Sequence, residues 1–314
     1  MARVNRIAVH QSIVHPLDPV GLVQLAERAG IDSVGLHVAS VEEVEPWWVK
    51  GVGAEMLREL VAALLAARVT VLDVGRVRLG PELRVWDGQH AYARVLELGV
   101  RLGAQFVTAR ADADVADDPA ELFAVLDEVA ARYRLRPLLA VVAATPAATP
   151  AAAAAIVEGT RGGIVLDVSP RTDTPAAVAD AVVELGELLG YVRVPARELS
   201  SVAAPGLLAT LPPQVPVAIG DPPAAAEHLA AQGAPTRLHS RGAPARTGAG
   251  GRQPAADAHA ATTPPAEGTG AATDPQAEGD PHAEGDAQAE GDMLTRLTAW
   301  RTSVDELLRH PEAR

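Results

Sequence analysis

Polar residues capable of chemistry recur in this chain where short apolar runs stop. His10 closes "RIAVH", His37 closes "DSVGLH", Arg110 closes "QFVTAR", and Asp167 follows the apolar run of "GIVLD". His15 lies just beyond the first run, and Arg193 and Glu198 lie in "YVRVPARE". Two histidines from neighbouring runs suit proton transfer, because imidazole changes charge near neutral pH. Asp167 fits three roles: an oxygen ligand, a cap for the loop "SPRTDTP", or a carboxylate that orients His37 or holds Arg110 or Arg193 as an ion pair. His37 and Asp167 are the candidate catalytic residues, and His10, Arg110 and Arg193 are candidate substrate contacts. Trp47 and Trp48 stand together in "EEVEPWWVKG", in a chain with only four tryptophans, three tyrosines and two phenylalanines. Their indoles can stack on a sugar-like face as a lid, with Trp47 a substrate contact, or simply cover a rim.

The elements that must position these residues follow from period and punctuation. Between Ile7 and Ile219, β-branched runs alternate with helix-patterned stretches, the βαβα order of a parallel sheet with helices outside it. Eight strands are expected at 6–10, 32–37, 69–77, 105–110, 136–142, 162–168, 191–194 and 215–220. The first helix shows its ends plainly, with Asp18 as N-cap, Pro19 at the first helical position and Gly30 as stop. Further helices are expected at 54–67, 88–104, 118–133, 149–159, 175–189 and 201–211. Eight such units in about 215 residues match a single (β/α)8 TIM barrel. An open doubly wound sheet would carry a G-x-G-x-x-G after an early strand, and none is present.

The barrel is expected over residues 1–233. Residues 234–292 are Ala-, Gly-, Pro- and Thr-rich and end in "AEGDPHAEGDAQAEGD". This composition cannot offset its own ordering entropy, which predicts a disordered acidic linker. Residues 293–314 then read as an amphipathic helix, with Met293, Leu294, Leu297, Trp300, Val304, Leu307 and Leu308 on one face, needing the barrel wall beside strand eight as its partner.

Charge and composition narrow the function classes. The net charge is -13, yet nine acids and no Lys or Arg lie between Gln253 and Asp292, so the remainder is only mildly acidic. Nothing there clusters cations for a nucleic-acid partner. Cysteine is absent, which excludes thiolate metal sites and a cysteine nucleophile, and Lys50 is the only lysine. No run of about 18 apolar residues or signal-type N-terminus appears, so no membrane partner and a cytoplasmic location are expected.

"LVQLAERAGIDSVGLHVAS" and "VTVLDVGRVRLGPE" resemble the sugar phosphate isomerase/epimerase family, the xylose-isomerase-like TIM barrels. The resemblance runs from about Ile7 to Ile219 and resumes in the terminal helix. It implies a divalent metal at the C-terminal ends of late strands, and proton or hydride shuttling between adjacent carbons of a sugar-like hydroxy-carbonyl compound. The ligands it implies are a Glu after strand five, an Asp after strand six, a His or Asp near strands six and seven, and a Glu on strand eight. Asp167 matches one of these, while Ala140, Pro170, Ala196 and Gly220 occupy the others. Asp221, a further candidate substrate contact, reaches the last position only if the strand end shifts by one residue. A single carboxylate cannot repay the dehydration of a hard cation. No cofactor is therefore expected; Mn, Mg or Zn returns only if the strands align differently. Two classes follow: an isomerase or epimerase of a small polar sugar-like molecule with a degenerate metal site, or a catalytically inactive barrel serving as a binding or scaffold protein.

Overall fold

A computed structural model describes residues 7–13, 18–38, 53–169, 173–198, 211–220 and 290–302. The strands are β1 (Ile7–His10), β2 (Ser33–His37), β3 (Thr70–Leu79), β4 (Phe106–Ala111), β5 (Arg136–Ala140), β6 (Gly163–Asp167), β7 (Leu189–Val194) and β8 (Val217–Ile219). They pair in chain order, all parallel, and β8 closes on β1 through Ile7 opposite Val217 and Val9 opposite Ile219. The molecule is a (β/α)8 barrel, as the alternation of runs predicts. Helices α1 (Pro19–Arg28), α2 (Gly53–Ala67), α3 (Trp86–Leu102), α4 (Pro119–Arg132), α5 (Pro150–Val157) and α6 (Pro175–Leu185) join the strands.

Local chemistry explains where these helices start. The Asp18 carboxylate accepts from the Gly21 amide at 2.7 Å and Asp118 accepts from Ala120 at 2.9 Å, each followed by a proline that has no amide to leave unsatisfied. Thr149 and Thr174 cap α5 and α6 in the same way.

Several boundaries differ from the sequence expectation. β5 stops at Ala140, not Val142, because the Val142 amide turns back to the Ala147 carbonyl. β3 is longer than expected and bulges against both neighbours, around Leu72 and around Arg76. α6 ends at Leu185, where Gly186 takes a positive φ of 50°, and a 3-10 turn at Gly186–Leu188 frees Leu189 and Gly190 to start β7. The expected helix at 201–211 lies outside the described residues apart from Leu211, as do residues 221–289.

A helical stretch at 290–302 begins three residues before Met293. Leu297 and Trp300 are buried in the main hydrophobic core, with Met293 and Leu294 packed partly against it. The stretch lies beside the end of α1: Arg301 Nη1 donates to the Gly30 carbonyl at 2.8 Å, and Arg28 pairs with Glu290.

Inside the barrel the side chains form two levels. The lower one is apolar, made of Ala8, Leu72, Leu138, Val165, Tyr191 and Ala218 with Phe106 against them. Residues two positions further along several of these strands (His10, Thr108, Asp167 and Arg193) build a polar level toward the C-terminal ends. The fold thus converts strand alternation into a dry floor beneath a polar mouth.

Candidate functional site

Asp73 is the centre of the polar level. It is fully buried, and its Oδ2 accepts from Thr108 Oγ1 at 2.7 Å and from the Tyr191 hydroxyl at 3.1 Å, with His10 Nε2 at 3.6 Å. Its Oδ1 is buried too and accepts no hydrogen bond among the described residues. Burial raises its pKa, but the nearby His10 and the hydrogen bonds from Thr108 and Tyr191 outweigh this, and the carboxyl titrates below its ordinary value. Burial together with the Asp73 charge pushes the Tyr191 phenol well up, so it stays a donor.

His10 ends β1 and is 1% exposed. Burial lowers its pKa below 6.5; Asp73 pulls the other way without prevailing, and Arg193 and Arg76 add to the lowering. The imidazole is therefore neutral at pH 7. The backbone amide of Ser12 donates to His10 Nδ1 at 3.4 Å, which requires a lone pair there and puts the proton on Nε2, facing Asp73. Ser12 Oγ lies 3.2 Å from the same Nδ1.

Two glycines make room for this arrangement. A Cβ on Gly35 would lie 2.3 Å from His10 Cδ2 and 2.4 Å from Asp73 Oδ1, and one on Gly220 would lie 2.6 Å from His10 Cβ. His37, at the end of β2, is half-buried and meets His10 edge to face at a centroid distance of 4.5 Å. Its backbone amide donates to Gln11 Oε1 at 3.0 Å, which ties the end of β2 to the turn after β1.

From β7, Arg193 is 1% exposed and grips Asp167 with both ends of its guanidinium, at 2.6 and 2.8 Å. Burial works against the Arg193 charge, but Asp167 overrides it and raises the pKa above that of an ordinary arginine. Glu198, buried in the turn after β7, accepts from Ser169 Oγ at 2.7 Å. Arg110 pairs with Asp112, which also takes Arg78 Nε at 2.9 Å.

The sequence candidates divide accordingly. His10, His37, Asp167, Arg193 and Arg110 all stand at the C-terminal ends of strands, where a TIM barrel assembles its sites. Asp167 and Arg193 prove to be partners of each other. Trp47, Trp48, His15 and Asp221 lie outside the described residues. Sequence reasoning passed over Asp73, Thr108, Tyr191 and Ser12. The available signal was an acid inside the strand "VTVLDVG", since a parallel barrel strand is buried on both faces and a charge there needs partners.

Among the described residues, the positions that the resemblance gives to a divalent metal carry few ligands for it. Both Asp167 oxygens are held by Arg193, Ala140 and Ala196 offer no donor, and at Gly220 a side chain would strike His10. Among the described residues no three His, Asp or Glu side chains gather to hold a metal, and no helix is long and apolar enough to cross a membrane.

No family model matches the chain, and no curated protein matches it. Solved structures do share its fold. A D-allulose 3-epimerase from Methylomonas sp. superposes with a TM-score of 0.52 at 14% identity, over 68% of this chain and 83% of its own. An AP endonuclease, family 2, from Brucella melitensis does so at 0.52 and 11%, over 68% and 91%. The IOLI protein, in a structure with a binding zinc atom, gives 0.50 and 13%, over 68% and 88%. In fold, this chain is similar to these three proteins.

Proposed function

We propose that the chain is an isomerase or epimerase of a small sugar-like hydroxy-carbonyl compound, working without a divalent metal. The observation that carries this reading is the His10–His37 pair at the barrel mouth. His37 is the half-buried member and takes the role of proton carrier; His10, buried and neutral, packs against it and adds no second positive charge. Arg110 and the outer edge of the Arg193–Asp167 pair supply polar contacts for hydroxyl and carbonyl oxygens. Similarity in fold to a D-allulose 3-epimerase supports the substrate class.

Proton transfer next to a carbonyl leaves a solvent-derived label. In D2O, ketohexoses and aldohexoses tested singly are expected to gain deuterium at the carbon beside the carbonyl, followed by proton NMR. The His37→Gln variant is expected to lose at least about a hundredfold in rate. Absence of exchange in every sugar, or full exchange by His37→Gln, contradicts the reading.

A specific observation favours a second class, a barrel that binds without reacting. The Asp167 carboxylate, the one acid at a position the resemblance gives to a ligand, is neutralised by Arg193. On that reading the same sugars bind, as measured by calorimetry, and none exchanges.

A further inference from the structure

We propose that Ser12, His10 and Asp73 form a nucleophilic triad, with Ser12 Oγ taking the acyl group of a small carboxylic ester. Ser12 lies in the 3-10 turn Gln11–Ile13 that leaves β1, so it shares a strand end with His10; it is half-buried, beside Gly220 at the end of β8. Ser12, His10 and Asp73 follow one another at close range, the first step within hydrogen-bond distance and the second a little beyond it. Ser12 Oγ is 3.2 Å from His10 Nδ1, and His10 Nε2 is 3.6 Å from Asp73 Oδ2. Thr108 and Tyr191 hold that Asp73 oxygen in place from β4 and β7.

The direction of the protons is what separates this arrangement from a mere turn. The Ser12 amide can only donate, so His10 Nδ1 carries the lone pair and the Ser12 hydroxyl points its proton at it. The opposite nitrogen then presents its N–H to a carboxylate that is wholly buried. A nucleophile, a base and a group that orients the base define a triad by role, whatever the fold or chain order. Here the imidazole is used with its two nitrogens exchanged relative to the serine-protease arrangement described for that template. Glycines at 35 and 220 are what allow it: a Cβ at 220 would lie 2.8 Å from Ser12 Oγ, and one at 35 would push into both His10 and Asp73.

In the reaction, Ser12 Oγ bonds to the ester carbonyl carbon and passes its proton to His10 Nδ1. The bond from carbon to the alkoxy oxygen breaks, and the departing alkoxide takes that proton. Water repeats the cycle on the acyl-serine, releasing the acid and restoring the hydroxyl. Esters are favoured over amides because an alkoxide leaves more readily than an amide nitrogen. The groups that act on the charge of His10 are Asp73 and Arg76 from β3 and Arg193 from β7, while His37 from β2 packs against its ring and Tyr191 from β7 donates to the Asp73 oxygen that His10 faces. Asp73 is a positioning residue.

A fluorophosphonate probe followed by intact and peptide mass spectrometry tests the triad on the full chain. One adduct is expected, on Ser12, absent in Ser12→Ala and slowed at least about a hundredfold in His10→Gln. p-Nitrophenyl acetate hydrolysis is expected to fall in parallel. In the unaltered protein the labelling rate rises through a single titration below pH 6.5 and is flat above it, as a neutral buried base requires; Asp73→Asn shifts that titration. Ser12→Ala removes only a half-buried hydroxyl, so its circular dichroism and melting stay unchanged and its result stands even if His10→Gln fails to fold. No adduct, an adduct elsewhere, or labelling that rises only in alkali as for an unassisted hydroxyl overturns the triad.

Discussion

At the scale of single residues, the mouth is governed by charges that burial forces into pairs. Arg193 has left water for Asp167, so Asp167→Asn strands a buried guanidinium against a neutral amide. With Asp167 still partly open to solvent, the expected cost is about 1–3 kcal/mol, read as a lower urea midpoint at unchanged slope. Bound-metal content is expected to be the same before and after. His10 gives a second prediction, on pH. Its folded pKa lies below the 6.5 of the unfolded chain, so below pH 6.5 the unfolded state binds the extra proton and stability falls as pH falls. The slope is at most about 1.4 kcal/mol per pH unit for one proton, and vanishes for His10 above pH 6.5. His10→Gln is expected to remove this component of a denaturation series between pH 7 and 5.

At the scale of elements, the close approach of β1, β2, β3 and β8 is what lets a neutral imidazole meet a buried carboxylate. Gly35 lies where β2 crosses the bulge in β3, and Gly35→Ala puts a methyl into space already filled by His10 and Asp73. About 1–3 kcal/mol of overpacking is expected, together with loss of the His10 environment in NMR spectra. The terminal helical stretch has its own test. Trp300 is 3% exposed, yet its indole N–H makes no hydrogen bond among the described residues. Trp300→Ala is expected to cost about 3–5 kcal/mol and to lower Tm by several degrees. Trp300→Phe should be milder, because it keeps most of the apolar volume and removes the unbonded donor. Equal losses for the two would show that Trp300 does not pack as described.

At the scale of the whole molecule, a parallel barrel is easy to read because it repeats one pattern eight times. Asp18-Pro19 and Asp118-Pro119 marked helix starts, and β-branched runs marked strands, so the fold class was legible without any long-range information. The ends of β5 and α6 were not, because a back-turning amide at Val142 and a positive φ at Gly186 decide them. Residues at strand ends were legible as candidates, since strand ends define the mouth. Asp73 and Tyr191 were not, because they sit within strands and gain their meaning only when β1, β3, β4 and β7 curl around a common axis. An ion pair of Asp167 with Arg110 or Arg193 was legible as an option, and the choice of Arg193 depends on the register of β6 against β7, where the two stand directly opposite. Both chemical readings of the mouth rest on one state: His10 neutral at pH 7, with its proton on Nε2 and oriented by Asp73. Long-range proton–nitrogen NMR on 15N-histidine protein reads that state directly. The account predicts a neutral Nε2–H tautomer for His10 that persists below pH 6.5, and to lower pH still in Asp73→Asn, where no carboxylate favours the imidazolium and the Ser12 amide still faces Nδ1. An imidazolium at pH 7, or a proton on Nδ1, would contradict it.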